Sequence, residues 1–311
     1  MGAVNNWRQA IAPNLSPATV RQRESYLRVH ILPRFARSAP HELDIPQMQQ
    51  FATELRKRVT RKTTVNIVSA VFTILDYAEK CGMKIAKVGL ADLELGPNIP
   101  AAVAFFTRRQ ASQIIEAAEE PYKTLFALAW STGLRAGELL ALTLDDLDFT
   151  RKIVRVNKSI DDTTREVRQP KTPRSIALLP MPSALEAKLR DYIQKHWKPN
   201  PRQILFPNQE GTRPRLRDSV VNTGLKPVLK RLGIPAERIG LHAFRHGLAT
   251  ELVEASVPFT VLQNQLRHAD VRTTLRTYSH AIPQSQRDVM EQLGGLPIGT
   301  GIGTVLKFSS K

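Results

Sequence analysis

Apolar side chains recur at helical spacing through most of residues 1–95, which predicts an all-helical N-terminal region. Ser16 and Pro17 pair as an N-cap and first-turn residue, opening a helix with Val20, Tyr26, Leu27 and Ile31 on one face. A second helix is expected from Pro46 to about Arg58, with Met48, Phe51 and Leu55 inward. A third runs from Thr63 to Lys80 over Val68, Val71, Phe72, Leu75 and Ala78, and Gly82 stops it. Between residues 87 and 106 the period breaks at Gly89, Gly96, Pro97 and Pro100. Little there promises to pack, so a boundary is expected.

The helical pattern resumes at Thr107, which stands at capping-box spacing from Gln110, and a further helix covers Pro121 to Trp130. The period then shortens. Ile153, Val154 and Val156, and later Ile176, Ala177 and Leu178, predict two short strands around a polar loop that contains Lys171. Beyond Pro182 the chain reads mostly as helix again, ending in a helix from Pro283 to Leu293 with Val289, Met290 and Leu293 on an apolar stripe. No internal repeat is present. The expected class is mostly α with a small antiparallel sheet. Its parts are a helical domain over 1–95, a linker over 96–106, a second domain over 107–293 and a flexible glycine-rich tail over 294–311.

Charge narrows the partner. The 311 residues hold 45 Lys and Arg against 28 Asp and Glu, a formal net charge of +17. Residues 1–100 contribute 14 basic and 8 acidic side chains and the remainder 31 and 20, so the excess is not confined to one tail. An acidic polymer, DNA or RNA, is the expected partner. Arg56, Lys57, Arg58, Arg61 and Lys62 form a basic run suited to phosphate contacts. A membrane is not expected, because no stretch approaches the roughly 20 apolar residues of a span. Cys81 is the sole cysteine, which excludes an intrachain disulfide and a cysteine-based zinc site. With no signal-peptide pattern, a cytoplasmic, nucleoid-associated protein is expected.

Four segments of the second half carry candidate chemistry: Thr132 to Leu139 around Arg135, Lys171-Thr172, Leu241 to His246, and Arg267-His268 followed by Tyr278. Singly, each has an ordinary structural reading. Together they supply what attack on a phosphodiester needs: a nucleophile, cations around the pentacoordinate phosphorus and a proton donor for the leaving oxygen. Arginine suits the cation role because its planar fork grips two phosphate oxygens and stays charged. His242 and Arg245 lie one helical turn apart and face the same way.

These segments resemble the tyrosine recombinases, the phage-integrase family. The Gly-x-Arg-x-x-Glu-x-Leu pattern from Gly133 is similar to the family's first arginine box, His242 to His246 to its His-x-x-Arg-His box, and His268 to His280 to the segment bearing the nucleophile. Specific motifs cover about residues 107–293, and residues 16–95 resemble more loosely the helical core-binding domain. The resemblance implies that Tyr278 attacks the scissile phosphate and holds a 3′-phosphotyrosyl link. Arg135 and Arg245 would clamp the phosphate with help from His268, Lys171 would donate a proton to the leaving 5′ oxygen, and His242 would act as general acid/base. Glu138 would orient the arginine box. No cofactor, metal or ATP is implied, and no Gly-Lys-Ser/Thr phosphate cradle is present. The implied assembly is a C-shaped clamp on double-stranded DNA, four protomers synapsing two sites, with accessory directionality or DNA-bending proteins as further partners. Two features depart from a simple match. Arg267 stands where the family usually has glycine, so its side chain is expected either to contact DNA or to shift His268. Lys158 lies on the same hairpin as Lys171, which is preferred because Pro170-Lys171-Thr172 then Arg174-Ser175-Ile176 follows the family's turn-then-strand pattern. Two further readings remain beside recombination: a type IB topoisomerase, sharing the chemistry without ordered strand exchange, and a silent DNA-binding regulator, which would have no use for Tyr278.

Overall fold

The computed structural model describes residues 2–98, 103–161, 164–168, 176–237 and 239–267. The chain divides into two units, Met1–Ala102 with Asp161–Glu166, and Val103–Ile160 with Val167–Lys311.

The first unit is helical. Its elements are α1 (Gly2–Ala10), α2 (Pro17–Tyr26), α3 (Leu32–Phe35), α4 (Ile45–Arg56) and α5 (Arg61–Lys80). Local chemistry explains the starts. The Ser16 hydroxyl accepts from Thr19 N–H at 3.3 Å, the Asp44 carboxylate from Gln47 N–H at 3.0 Å, and the Thr60 hydroxyl from Thr63 N–H at 3.3 Å. The last two caps start α4 and α5 one and two residues earlier than the apolar pattern suggests. Between α2 and α3 the helix widens into a π turn at Leu27–Ile31, and Pro33 follows two residues on. Proline lacks the N–H for the next helical bond and crowds the carbonyl four residues back, which the wider turn relieves. The core gathers Trp7, Leu27, Met48, Ile67 and Val68, all with no exposed surface. Helix α1 falls within the expected helical region without being picked out individually, and Val4 and Trp7 bury at helical spacing. One expectation fails here. The stretch after residue 87 does pack: Leu93 and Leu95 are buried, and the Gln49 amide clips Glu94 by accepting from its N–H and donating to its carbonyl at 2.8 and 3.0 Å.

The second unit comprises α6 (Arg108–Ala117), α7 (Tyr122–Thr132), α8 (Ala136–Ala141), β1 (Leu147–Asp148), β2 (Ile153–Val156), β3 (Ser159–Ile160), β4 (Val167–Arg168), β5 (Ala177–Pro180), α9 (Ser183–Lys195), α10 (Arg217–Ser219), α11 (Lys226–Arg231), α12 (His242–Glu254) and α13 (Phe259–Leu266). The expected capping box is present, with Thr107 and Gln110 bonding reciprocally. Strands β1, β2 and β5 make an antiparallel sheet in which Val154 faces Leu179. A separate β3–β4 hairpin adds a pair not read from the sequence. A second π turn, Val220–Leu225, again ends two residues before a proline, Pro227. Phe244 of α12 packs against Phe106 and Phe126 with ring centres 4.8 and 5.3 Å away.

The chain from 196 to 216 is not helical, contrary to expectation. Leu205 and Phe206 are buried there without periodicity. Side chains answer their backbone instead: Trp197 Nε1 and Asn200 Nδ2 donate to the Ile204 carbonyl at 2.8 and 3.1 Å, and the Tyr192 hydroxyl donates to the Leu205 carbonyl at 3.1 Å. The tail over 294–311 and the helix expected from Pro283 lie outside the described residues.

Candidate active site

Helix α7 ends at Gly133, whose left-handed φ of +64° suits glycine. A β-carbon there would also stand 3.0 Å from a Leu248 methyl and 3.2 Å from one of Leu266. This tight turn delivers Arg135 to the N-cap of α8. The Glu138 carboxylate accepts the Arg135 backbone N–H at 2.8 Å and one guanidinium nitrogen at 3.1 Å, while the other guanidinium nitrogen donates to the Arg267 carbonyl at 3.1 Å.

Arg245 lies on the first turn of α12 and is 4% exposed. Its guanidinium donates to the carbonyls of Gly133 and Leu266. The two arginines therefore share one platform, the end of α7 and the end of α13. Helix α13 is held there by Ala249, Leu262 and Leu266, which pack it on α12, and by Gln265, whose amide donates to the Thr132 carbonyl at 3.0 Å. Part of Arg135, 40% exposed at its side chain, remains open to a ligand.

His242 opens α12, exposed and one turn before Arg245. His246, on the next turn, is half-buried. Burial, and then the nearby His242 and Arg245 charges, push its pKa down to about 4. At neutral pH it is uncharged. An unfolded His246 near 6.5 takes up a proton before the folded one does, so folding stability falls as pH drops from about 6.5 towards 4. The loss amounts to no more than about 3 kcal/mol. Urea titrations at pH 7 and pH 5 should show a smaller difference in His246→Gln than in the parent; equal differences would remove His246 as the cause.

Glu138 is buried. Burial pushes its carboxyl up, but the Arg267 charge, the Arg135 N–H bond and the Arg135 charge together hold it below the usual carboxylate range. The Arg267 side chain turns inward to Glu138, 2.6 Å away, and is 3% exposed. Lys158 is also committed, donating to Asp146 at 2.7 Å and Thr143 at 2.8 Å. Lys171, His268 and Tyr278 lie outside the described residues. Among the described residues no three His, Cys, Asp or Glu side chains come together to hold a metal ion, and no helix is long and apolar enough to cross a membrane.

This fold is that of DNA-bound integrases. The structure of the Tn1549 transposon integrase in complex with a circular intermediate DNA superposes with a TM-score of 0.78 over 93% of this chain and 98% of that one, at 21% identity. A lambda integrase dimer bound to a core site superposes at 0.69, with 89% and 94% covered and 15% identity. The chain belongs to the phage integrase family, which it matches over residues 104–285. A tyrosine recombinase XerC-like protein of Caldanaerobacter subterraneus subsp. tengcongensis is 31% identical over 64% of this chain and 56% of its own length. The ICEBs1 integrase of Bacillus subtilis is 29% identical over 56% and 49%. The chain thus spans about half the length of these two relatives. A tyrosine recombinase of Pseudothermotoga lettingae aligns over 79% of this chain and 81% of its own, at 23% identity.

Proposed function

We propose that this chain is a site-specific tyrosine recombinase that cuts and rejoins double-stranded DNA through a phosphotyrosyl intermediate. The observation that carries the reading is the pair Arg135 and Arg245, fixed on a common carbonyl platform with His242 one turn away. Their forks would grip the two non-bridging oxygens of the scissile phosphate. The Tyr278 oxygen then attacks phosphorus, the bond to the 5′ oxygen breaks, and a 3′-phosphotyrosyl ester forms. His242 takes the phenolic proton, and Lys171 protonates the departing 5′ oxygen. His268 assists phosphate binding. Rejoining is the reverse with an incoming 5′ hydroxyl. The phosphotyrosyl ester retains the energy of the broken bond, so no ATP is required, and the arginine and lysine charges do the work a metal would do.

Residues 1–95 would form the core-type DNA-binding domain and residues 107–293 the catalytic one, joined by 96–106. Four protomers would synapse two sites at the nucleoid, with the helix from Pro283 docking on a neighbour and accessory DNA-bending or directionality proteins assisting. Arg56, Lys57, Arg58 and Lys62 are exposed around the α4–α5 turn, as phosphate contacts require, whereas Arg61 donates to the Gly96 carbonyl at 2.9 Å. Each phosphate contact releases counterions, so log affinity should fall with log salt at a slope of roughly 0.9 per contact. Filter binding across a salt series checks this, and a flat profile would contradict a DNA clamp.

Incubation with supercoiled plasmid and a site-bearing duplex in EDTA, resolved on denaturing gels, separates the readings. Covalent adducts with exchanged strands support recombination. Relaxation without exchange means a topoisomerase, and binding without adducts means a regulator.

A further inference from the structure

Residue 267 closes α13 in the left-handed region, φ +51° and ψ 45°, where a β-carbon is disfavoured. An arginine is found there nonetheless, with its guanidinium in the interior. Only one of its nitrogens reaches Glu138, and its Nε and one Nη are buried without a hydrogen-bond partner among the described residues. A strained backbone and a buried charge with unanswered donors both oppose stability. A merely structural role would be served better by glycine.

What Arg267 touches is Arg135, at both ends. Its carbonyl receives one Arg135 guanidinium nitrogen at 3.1 Å, and its own guanidinium grips the carboxylate that holds the other. Glu138 thus answers three donors: the Arg135 backbone N–H, the Arg135 side chain and the Arg267 side chain. The consequence for charge is simple. Arg135 with Glu138 alone is a neutral pair, and Arg267 makes the group net positive. Glu138 is also pulled from two sides, so the Arg135 fork has a fixed plane and a carboxylate that is not its alone.

We propose that Arg267 is a positioning residue of the phosphate clamp: through Glu138 it orients Arg135 and leaves the site with surplus positive charge, without itself meeting DNA. This rests on Arg135 being a phosphate ligand.

The test uses the full chain, a nicked suicide duplex carrying a site that the chain itself selects from randomised DNA, and an intact duplex of the same site for binding. Arg267→Gly should fold, since it relieves the left-handed strain, and should bind the intact duplex within about twofold of the parent. Its rate of covalent adduct formation should fall by about tenfold or more, the range found when a partner that orients a ligand is removed. Arg267→Lys, which keeps charge but not the planar fork, should recover part of that rate. In a Glu138→Gln background, Arg267→Gly should add a much smaller loss, because the orienting path is already cut and only the charge of Arg267 is removed. A parental rate in Arg267→Gly overturns the proposal, and so does an equal loss in both backgrounds, which would mean that Arg267 acts independently of Glu138. Should Arg267→Gly be unfolded by circular dichroism, Arg267→Lys decides: a slowed rate with an intact fold supports the proposal, and a parental rate overturns it. Arg135→Ala separates the layers. A parental rate there sinks the clamp reading itself, whereas a slow Arg135→Ala beside a parental Arg267→Gly sinks this proposal alone.

Discussion

Tyr278→Phe should abolish covalent protein–DNA adducts on a suicide duplex while leaving affinity for the same duplex nearly unchanged. The substitution removes one oxygen, and that oxygen is the atom proposed to bond phosphorus. Among the described residues beside Arg135 and Arg245, the Glu138 carboxylate already accepts three hydrogen bonds. The effect should therefore be loss to background rather than a graded slowing. Adducts at the parental level, mapped to another residue by peptide sequencing, would end the assignment of Tyr278.

The second large effect concerns the arginines. Arg135→Ala should slow cleavage by about 100- to 1000-fold, or roughly 3–4 kcal/mol of transition-state stabilisation, by analogy with loss of one oxyanion donor. Single-turnover adduct formation measures it. Arg245→Ala should cost at least as much in rate and something in stability besides. Arg245 is 4% exposed and bonded to two carbonyls, which its removal leaves unpaired at about 1–3 kcal/mol each. A lowered urea midpoint in Arg245→Ala but not in Arg135→Ala, which is 40% exposed at its side chain, would separate scaffold from chemistry. If both variants cleave at the parental rate, the phosphate is not held where we place it.

The helices were legible because each carries its own information. Met48, Phe51 and Leu55 of α4 lie on one face and α4 ends within two residues of its expected limit. Thr107 and Gln110 announce α6 by a contact three residues long. The β2–β5 pairing was legible from short apolar runs on either side of a polar loop. What could not be read depends on partners far along the chain. Arg245 is anchored by Gly133, 112 residues before it, and Arg135 by the carbonyl of Arg267, 132 residues after it. Spacing placed His242 and Arg245 on one face but carried no hint that α13 would supply carbonyls to both arginines. The inward turn of Arg267 was invisible for the same reason, since its partner Glu138 is 129 residues away. The burial of Leu205 and Phe206 escaped because an irregular segment whose backbone is answered by Tyr192, Trp197 and Asn200 has no period to detect.

The two largest hydrophobic cores among the described residues share no side chain, the first built around Trp7 and the second around the Phe106–Phe244–Phe126 stack. Each unit therefore has its own reason to stay folded and its own point at which heat or denaturant can open it. A single melting midpoint is then not a defined property of the chain, because an all-or-none transition is not guaranteed across two cores. The three tryptophans make the difference observable. Trp7 lies in the first core, while Trp130 and Trp197 pack against the second. With both second-unit tryptophans replaced by phenylalanine, fluorescence would report the first unit alone, against circular dichroism for the whole.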